Sequence, residues 1–534
     1  MAHDQIVMWP AKTGIGRNDM TRARPKFRRL WIGKFALSLA IAVAFGGTSF
    51  AQQFDAPYYE FEKKHGPEWA KEDKAIDAKL AALEKKFGKK PNIIYILVDD
   101  IGHGELGSQG GGANRGTPTT ELDRMADEGM LLNAFYSEPS CTPTRTALMT
   151  GRHPARTGLT DVIFPGNPAG LHPDEVTLAE LLSESGYSTA MFGKWHLGEG
   201  EETWPHNQGF DEALFGVYNA APWAWNTLGD LKFWNNENTP EFFTRYKLNG
   251  LMEAKKGEKA REIAPLNLET YTTVEEKTFE RSLDFITRNA ESEKPFFLYL
   301  ASNFVSMMTS HPDWDGKSAQ GTHSGDQFLE HDFYVGRLLE KLEELGIAEN
   351  TLVVWMSDNG PMYDFFPESS SSAYTGGKGD VLEGGVHVPA IAWWPGIIEA
   401  NQRSGDLLHV TDMYTTAARI GGAMDAIPTD RVIDGLEQSS YLMSSTASRR
   451  EYMFHYSGKN VGAIRLGQYK RHMGASHGGL PGKDFYDIYK DPREEFGVMG
   501  EMLWAWVPFD DIFRMHNELI EKYPHREPYY STPD

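Results

Sequence analysis

The chain has 534 residues, of which 53 are Lys or Arg, 75 are Asp or Glu and one is Cys, and its formal net charge is −22. This length allows one large domain with a satellite or two domains, and 40% hydrophobic residues are typical of a globular protein. The single cysteine excludes an intrachain disulfide and a CxxC zinc site, and the acidic balance argues against a nucleic-acid partner held by phosphate contacts.

Residues 1–51 differ from the rest of the chain in charge and hydropathy. They hold eight Lys or Arg against two Asp, and the apolar run Phe35–Phe45 is followed by the segment Ser49–Ala51. A basic stretch before an apolar run too short to span a bilayer comfortably is typical of a signal peptide. We therefore predict a signal peptide over 1–51 and a periplasmic or secreted protein with no stable membrane span after cleavage. A short membrane anchor is the alternative.

Residues 52–90 are predicted to form a helical lead-in, because apolar residues recur there at helical spacing until Gly88.

From residue 91, runs typical of buried strands alternate with helical stretches. The strand runs are Ile93–Val98, Thr189–Phe192, Phe296–Leu300 and Leu352–Met356. The helical stretches are Thr119–Glu128, Thr177–Ser185, Val274–Asn289 and Phe328–Leu345. This alternation predicts an α/β sheet flanked by helices over 91–400.

Beyond about residue 400 the pattern changes to short strands joined by turns that contain glycine. Tyr452–Tyr456, Gly462–Leu466 and Tyr469–His472 predict an antiparallel meander, and residues 509–522 have helical spacing. We predict a smaller C-terminal α+β subdomain over 401–534 that contains an antiparallel sheet.

Polar side chains follow three of the predicted strands of the α/β region. They are Asp99-Asp100, Lys194 with His196, and Asp358-Asn359. Ligands of open α/β sheets bind beyond the carboxyl ends of the strands. Three carboxylates and an amide oxygen are hard donors that suit Ca²⁺ or Mg²⁺, and three crowded acids repel one another unless a cation lies among them. The pattern therefore predicts a metal site.

The only cysteine, Cys141, lies in a polar segment with Arg145 four residues further on. The sequence Cys-Thr-Pro-Thr-Arg at 141–145, followed by Thr-Gly-Arg at 150–152, resembles the signature of the type I sulfatases, the arylsulfatase branch of the alkaline phosphatase superfamily. The segment Gly186–Gly198 resembles the second signature of that family. Further similar motifs follow in the same order as in the family: Asp358-Asn359-Gly360, Gly377-Lys378, Glu383-Gly384-Gly385, and Asp487–Glu494.

The resemblance implies an alkaline phosphatase-like fold with a large mixed, mostly parallel sheet, and a sulfuric ester hydrolase. In the family the cysteine is oxidised to a formylglycine by a formylglycine-generating enzyme, and one hydroxyl of the hydrated aldehyde attacks sulfur. The implied substrate is a small-molecule or glycan sulfate ester. The implied Ca²⁺ ligands are modified Cys141 with Asp99, Asp100, Asp358 and Asn359.

The remaining site residues implied by the resemblance are cations and a histidine. Arg145 anchors the diol, Lys194 and Lys378 bind the sulfate oxygens, and His196 hydrogen-bonds the diol and helps to remove its proton. Positive charge at these positions stabilises the negative charge that develops around sulfur.

The chain departs from the family at one position. After the strand Phe296–Leu300 the family presents a histidine that protonates the leaving group, whereas the corresponding stretch here has Met307 and Met308. A thioether cannot donate a proton. His311 is a candidate substitute that would contact the substrate, and a solvated loop residue is the alternative. Because aryl sulfates have good leaving groups, we expect the loss of this proton donor to slow their hydrolysis least.

These observations predict an exported, calcium-dependent sulfatase. A phosphate or phosphonate monoester hydrolase of the same superfamily is one alternative, because such relatives share the metal and nucleophile positions. A non-catalytic binder of sulfated glycans is another, and the absent histidine is consistent with it. The retained cysteine, acids and cations argue against the binder, since binding needs no oxidised cysteine.

Overall fold

The protein is described by a computed structural model that covers residues 53–218, 249–265, 268–302, 310–474, 485–498 and 503–531. The predicted signal peptide over 1–51 lies outside the described residues, as does the stretch 303–309 with Met307 and Met308. None of the described helices is both long and apolar enough to cross a membrane.

The described residues contain 21 strands. The first eleven are β1 (Gln53–Phe54), β2 (Asn92–Val98), β3 (Met130–Leu132), β4 (Phe135–Tyr136), β5 (Ala169–Gly170), β6 (Ser188–Lys194), β7 (Glu212–Gly216), β8 (Leu251–Lys255), β9 (Arg261–Ala264), β10 (Phe296–Ala301) and β11 (Thr351–Ser357). The others are β12 (His387–Val388), β13 (Ala390–Trp393), β14 (Gln402–Ser404), β15 (Leu408–His409), β16 (Val432–Ile433), β17 (Tyr452–Ser457), β18 (Asn460–Leu466), β19 (Tyr469–His472), β20 (Phe485–Asp487) and β21 (Tyr529–Tyr530).

Twelve α-helices lie in the same described ranges. They are α1 (Tyr58–Phe87), α2 (Thr120–Glu128), α3 (Cys141–Thr150), α4 (Pro154–Thr157), α5 (Leu178–Glu184), α6 (Leu268–Tyr271), α7 (Val274–Ala290), α8 (His323–Glu344), α9 (Glu383–Val386), α10 (Asp412–Ile420), α11 (Ser439–Ser444) and α12 (Trp506–Lys522). Short 3₁₀ turns add Gly107–Gln109, Gly112–Arg115, Glu201–Thr203, Pro205–Asn207, Ala348–Asn350, Tyr363–Phe365, Met424–Ala426 and Leu503–Ala505.

Ten strands form the central sheet, in the order β14-β3-β13-β11-β2-β10-β6-β7-β8-β9. Its middle strands β11, β2, β10, β6 and β7 are all parallel to their neighbours in this group. Antiparallel pairs join β13 and β8 to the two sides of this group. The predicted α/β fold with a mixed, mostly parallel sheet is confirmed. Strand β14 lies beyond residue 400 and joins this sheet, and the domain boundary at 400 stays a prediction.

Strand β2 shows why the apolar runs form the centre of the sheet. Successive side chains of a strand point to opposite faces, and β2 is fully buried on both. Three of its residues pack in the core on one face: Ile93, Tyr95 and Leu97. Three pack in the core on the other face: Ile94, Ile96 and Val98. A strand at the centre of this sheet therefore needs apolar side chains on both faces, which explains the uninterrupted apolar run.

Helix ends follow local signals. Helix α1 ends at Phe87, and the next residue, Gly88, has a φ of +73° and donates its N–H to the carbonyl of Glu84. Helix α8 begins at His323 rather than at the predicted Phe328, because the Thr322 side chain accepts the N–H of Gly325 and caps an extra turn.

The C-terminal part forms a four-stranded antiparallel sheet in the order β17-β18-β19-β20, as the meander predicted. Helix α12 packs against it, and the rings of Phe485 and Phe509 meet edge to face with centroids 4.8 Å apart. The predicted small antiparallel sheet is confirmed.

Candidate active site

Adjacent parallel strands of the central sheet end at one edge, and the predicted site residues lie there. Asp99 and Asp100 come directly after β2, and Asp358 and Asn359 come directly after its neighbour β11. Lys194 is the last residue of β6. Because carboxyl ends of parallel strands share one edge, the sheet brings these side chains into one crevice.

Cys141 is the first residue of α3, and two threonines of the first helical turn tie it to the strand ends. The Thr144 hydroxyl donates to the carbonyl of Asp358 at 2.6 Å. The Thr142 hydroxyl donates to the carbonyl of His196, just beyond β6, at 3.1 Å. All ten residues of α3 are buried, so the cysteine has a fixed position at the edge of the sheet.

Three carboxylates and the cysteine form one buried group. One potential ligand atom from each of Asp99, Asp100, Cys141 and Asp358 lies within 4.8 Å of the others. The N–H of Asp100 donates to Oδ1 of Asp358 at 3.1 Å. Asp100 has a φ of +58°, a left-handed conformation that aspartate tolerates better than most residues. This turn brings consecutive acids into one cluster.

Each carboxylate also accepts a hydrogen bond from a buried cation of the protein. The bonds join Lys194 Nζ to Asp99 Oδ1 at 2.6 Å, Arg145 Nη2 to Asp358 Oδ2 at 2.9 Å and to Asp99 Oδ1 at 3.2 Å, and Lys378 Nζ to Asp100 Oδ1 at 2.7 Å. We call these six charged residues the Asp99 cluster. Crowded acids in the sequence predict a metal ion that relieves their repulsion, and in the structure three protein cations share this role.

Two buried oxygens at this site have no hydrogen-bond partner among the described residues. They are Oδ2 of Asp99 and Oδ1 of Asn359. The amide nitrogen of Asn359 donates to Asp100 Oδ1 at 2.7 Å and to the carbonyl of Gly360 at 2.8 Å, which leaves its oxygen free. Buried acceptors without donors are costly, and a hard cation would satisfy both. The residues therefore fit a Ca²⁺- or Mg²⁺-type ion.

Burial and neighbouring charges shift the pKa values in this group. Burial opposes ionisation of Asp99, but Lys194 and Lys378 hold its pKa well below the usual value. Burial and the charge of Asp99 raise the pKa of Asp358. Burial, together with Asp358 and Asp99, raises the pKa of the Cys141 thiol. The surrounding protein groups therefore disfavour a thiolate at this position.

The surroundings of His196 favour its neutral form, and its hydrogen bond favours one tautomer. Burial and the charge of Lys194 hold its pKa well below the usual value. Its Nε2 lies 2.8 Å from the carbonyl oxygen of Ile163, and because a carbonyl only accepts, Nε2 carries the proton. Its Nδ1 is buried and has no partner among the described residues. His196 therefore has a free lone pair that can accept a proton.

The loop that carries Lys378 is closed by backbone hydrogen bonds. The N–H of Gly384 donates to the carbonyl of Thr375 at 2.7 Å, and the N–H of Gly379 donates to the carbonyl of Pro139 at 2.7 Å. Pro139 lies just before α3, so the same loop is attached to the segment that leads to the cysteine.

A second group of buried charges joins this loop to the C-terminal sheet. We call Glu383, Arg465, Lys470 and Glu494 the Glu383 cluster. Glu383 accepts hydrogen bonds from Lys470 Nζ at 3.0 Å, from Arg465 Nη1 at 3.4 Å and from the Tyr136 hydroxyl at 2.6 Å. Lys470 Nζ also lies 3.2 Å from Glu494. Since Arg465 and Lys470 belong to β18 and β19, the cluster connects the two parts of the chain.

A cavity of about 350 Å³ opens beside the Asp99 cluster, and His196 and Lys378 line it. His311 is not among the described residues of its lining. His311 Nε2 lies 3.5 Å from Glu276, and its Nδ1 accepts the N–H of Asp313 at 3.1 Å. Residues 303–309, between β10 and His311, are outside the described residues. A substrate-contacting role for His311 therefore stays a prediction.

Sequence reasoning missed two contacts at this site. Arg145 Nη1 donates to the Tyr299 hydroxyl at 3.4 Å, although Tyr299 lies within the apolar run of β10. A tyrosine near the carboxyl end of a central parallel strand is the one signal that pointed to it. The carbonyl of Ile163 left no such signal, because any residue type supplies a backbone acceptor.

Comparisons with known proteins agree with this fold. The family model described as Sulfatase matches residues 91–423. The chain is 38% identical over 399 residues to the N-acetylgalactosamine-6-sulfatase of Canis lupus familiaris, covering 72% of each protein. It is 32% identical over 461 residues to arylsulfatase A of Homo sapiens, covering 78% of this chain and 85% of that protein. Among solved structures, the PsFucS1 sulfatase from Pseudoalteromonas sp. is similar, with a TM-score of 0.80 and 33% identity, covering 86% of this chain and 96% of that one.

These matches and the fold define a hydrolase of the alkaline phosphatase superfamily. Within that superfamily the chain belongs to the sulfatase family, as a type I sulfatase and sulfuric ester hydrolase. The family resemblance inferred from the sequence motifs is confirmed.

Proposed function

We propose that this sulfatase is exported and hydrolyses sulfate monoesters to an alcohol or phenol plus sulfate, using a formylglycine derived from Cys141 and a bound Ca²⁺. The observation that carries the proposal is the meeting of Cys141, three carboxylates and three cations at the carboxyl edge of the sheet. The predicted leader over 1–51 supports export to the periplasm or medium.

The environment of Cys141 supports a modified residue as the nucleophile. A catalytic thiol needs a lowered pKa, whereas burial and the neighbouring acids raise the pKa of this one. A formylglycine at position 141 supplies a hydroxyl nucleophile that does not depend on a thiolate. Maturation then requires a formylglycine-generating enzyme as a partner.

Asp99, Asp100, Asp358 and Asn359 would hold the calcium ion, beside residue 141. When bound, calcium supplies positive charge to the sulfate oxygens. The unpaired oxygens of Asp99 and Asn359 support this ligand set, because they are hard donors that no described group of the protein satisfies.

The cations and the histidine have separate roles in this proposal. Lys194 and Lys378 bind sulfate oxygens and stabilise the charge that develops on them, while Arg145 orients residue 141. His196 accepts a proton from residue 141 through Nδ1, since Nε2 donates to Ile163. Lys378 and His196 line the cavity, which is consistent with contact to a bound ester.

The test is mass spectrometry of the peptide that contains residue 141, from protein purified from its own host. We expect a loss of about 18 Da relative to the thiol, from conversion of –CH₂SH to –CHO. Cys141→Ala is the matched control, and it should carry no such change and release no sulfate. An unmodified thiol in an active enzyme would overturn the nucleophile assignment.

The same preparation separates the sulfatase from a phosphomonoesterase. We expect 4-nitrophenyl sulfate to be hydrolysed with a higher kcat/KM than 4-nitrophenyl phosphate. A clear preference for phosphate would contradict the proposal, and no turnover of either ester by protein that carries the formylglycine would favour a binding protein.

A further inference from the structure

Residues 160–165 form one wall of the cavity, and this loop is attached to the candidate active site. All six residues line the cavity. The N–H of Ile163 donates to the Thr142 hydroxyl at 3.2 Å, and its carbonyl accepts the Nε2–H of His196 at 2.8 Å. Thr142 follows Cys141 in α3. The loop is therefore held between the nucleophile helix and the histidine that we assign as the base.

Asp161 places a negative charge in this wall. It lies two residues before Ile163, so the two Cα atoms are no more than about 7 Å apart. Its side chain is exposed, and Oδ2 accepts a hydrogen bond from Thr160 at 2.9 Å. No Lys, Arg or His of the described ranges pairs with it. Among the described lining residues, Asp161 is the one carboxylate and Lys378 the one ammonium group.

The apolar part of the lining suits an uncharged ring. Val162, Phe164 and Met362 give the cavity an apolar lining, and the Phe164 side chain is 45% exposed. An apolar or aromatic wall can cover one face of a sugar or phenyl ring. A hydroxyl of such a ring can donate to Asp161, whereas a second anion cannot.

We propose that Asp161 makes the enzyme select sulfate esters whose organic part carries no second negative charge. This inference rests on the proposed sulfatase function of the same site. Like charges in a partly enclosed cleft repel more strongly than in water, because the protein walls lower the effective dielectric constant. Singly charged esters of phenols or neutral sugars are therefore expected substrates, and multiply charged esters are expected to be disfavoured.

The test compares two phenyl sulfates that differ in charge but hardly in shape or leaving group. They are 4-(carbamoylmethyl)phenyl sulfate and 4-(carboxymethyl)phenyl sulfate, and the released phenol is measured by chromatography. For the wild type we expect kcat/KM to be about five- to tenfold higher for the singly charged carbamoylmethyl ester than for the doubly charged carboxymethyl ester at low salt. Asp161→Asn should reduce this ratio to about twofold or less, mainly by raising kcat/KM for the doubly charged carboxymethyl ester.

Asp425→Asn is the matched control, because Asp425 is an exposed aspartate that does not line the cavity. It should leave the wild-type ratio unchanged. Raising the ionic strength should lower the ratio in the wild type and in Asp425→Asn, but not in Asp161→Asn. A ratio that is unaffected by Asp161→Asn overturns this inference and leaves the sulfatase function intact. No hydrolysis of either ester or of 4-nitrophenyl sulfate overturns the proposed function itself.

Discussion

The Asp99 cluster and the Glu383 cluster are both buried groups of opposite charges, but they differ in what remains unpaired. Both oxygens of Glu383 accept hydrogen bonds, and Glu494 accepts from Lys470, His472 and the N–H of Glu383. In the candidate site, by contrast, Oδ2 of Asp99 is left without a donor among the described residues. Pairing of all the carboxylate oxygens is consistent with a structural connection, whereas an unpaired buried oxygen beside Cys141 and two further carboxylates is a position that a metal ion could occupy.

The two clusters also differ in their access to the cavity. Lys378 lines a cavity large enough for a small molecule, whereas Lys470 is fully buried and donates to carboxylates of its own cluster. Both lysines are bonded to buried acids, so burial and pairing alone do not distinguish them. Substituting each lysine by methionine therefore tests the comparison directly.

The largest effect is expected on the stability of Lys470→Met. Removing one partner of a buried ion pair leaves uncompensated charge, which typically costs about 3–5 kcal/mol of unfolding free energy. Lys378→Met, measured with calcium present, should cost less than about 1 kcal/mol, because the ion can compensate Asp100. Urea unfolding measures both variants, and equal losses would contradict the distinction between the clusters.

Activity should respond in the opposite order. Lys378→Met should lower kcat/KM for 4-nitrophenyl sulfate by about 10²–10³-fold, the usual cost of removing one donor to a developing oxyanion. Lys470→Met, assayed per folded molecule below its unfolding transition, should stay within about twofold of the wild type. A larger loss of kcat/KM in Lys470→Met than in Lys378→Met would contradict this assignment and favour a catalytic role for the Glu383 cluster.

The sequence predicted one of these clusters and not the other, for a physical reason. Asp99 and Asp358 each follow an apolar run typical of a parallel strand, and ligands lie at the carboxyl ends of such strands, so the sequence predicts a site there provided that the two strand ends come together. The pairing of Glu383 with Lys470 joins residues far apart in the chain, one on a short helix and one on an inner strand of a different sheet. No local pattern encodes that contact, because it depends on how the C-terminal sheet packs.

Calcium is expected to stabilise the protein through the Asp99 cluster alone. An ion that binds only the folded state adds about 2.7 kcal/mol at a concentration one hundred times its Kd, so EGTA should lower the Tm of the wild type. Asp99→Asn should abolish this shift, since it removes a charged ligand. Glu383→Gln should have a lower Tm than the wild type in the presence of calcium, and EGTA should still lower that Tm. A calcium shift that survives Asp99→Asn would show that the ion binds elsewhere.

Lys378 and Tyr299 mark the limits of sequence reasoning within the site itself. Lys378 was assigned by family resemblance, because a lysine beside glycines is otherwise typical of a solvated loop. Tyr299 lies in an apolar run that predicts a buried strand, and the run alone does not indicate which of its side chains reaches a neighbouring charge. Side-chain direction at the end of a strand depends on tertiary packing, which local patterns do not specify.

The smallest effects are expected from removing one tyrosine hydroxyl that contacts each cluster. Tyr136→Phe keeps the ring stacked on His387 but loses the hydroxyl that donates to Glu383 at 2.6 Å and accepts from Arg465 at 2.7 Å. We expect a loss of about 1.5 kcal/mol in unfolding free energy and an unchanged kcat/KM.

Tyr299→Phe loses a single long hydrogen bond from Arg145, so stability should fall by less than about 0.5 kcal/mol. Its kcat/KM should nevertheless fall about threefold, because Arg145 orients residue 141 in the proposed mechanism. If Tyr136→Phe impaired turnover more than Tyr299→Phe, the Glu383 cluster would have to be counted as part of the active site.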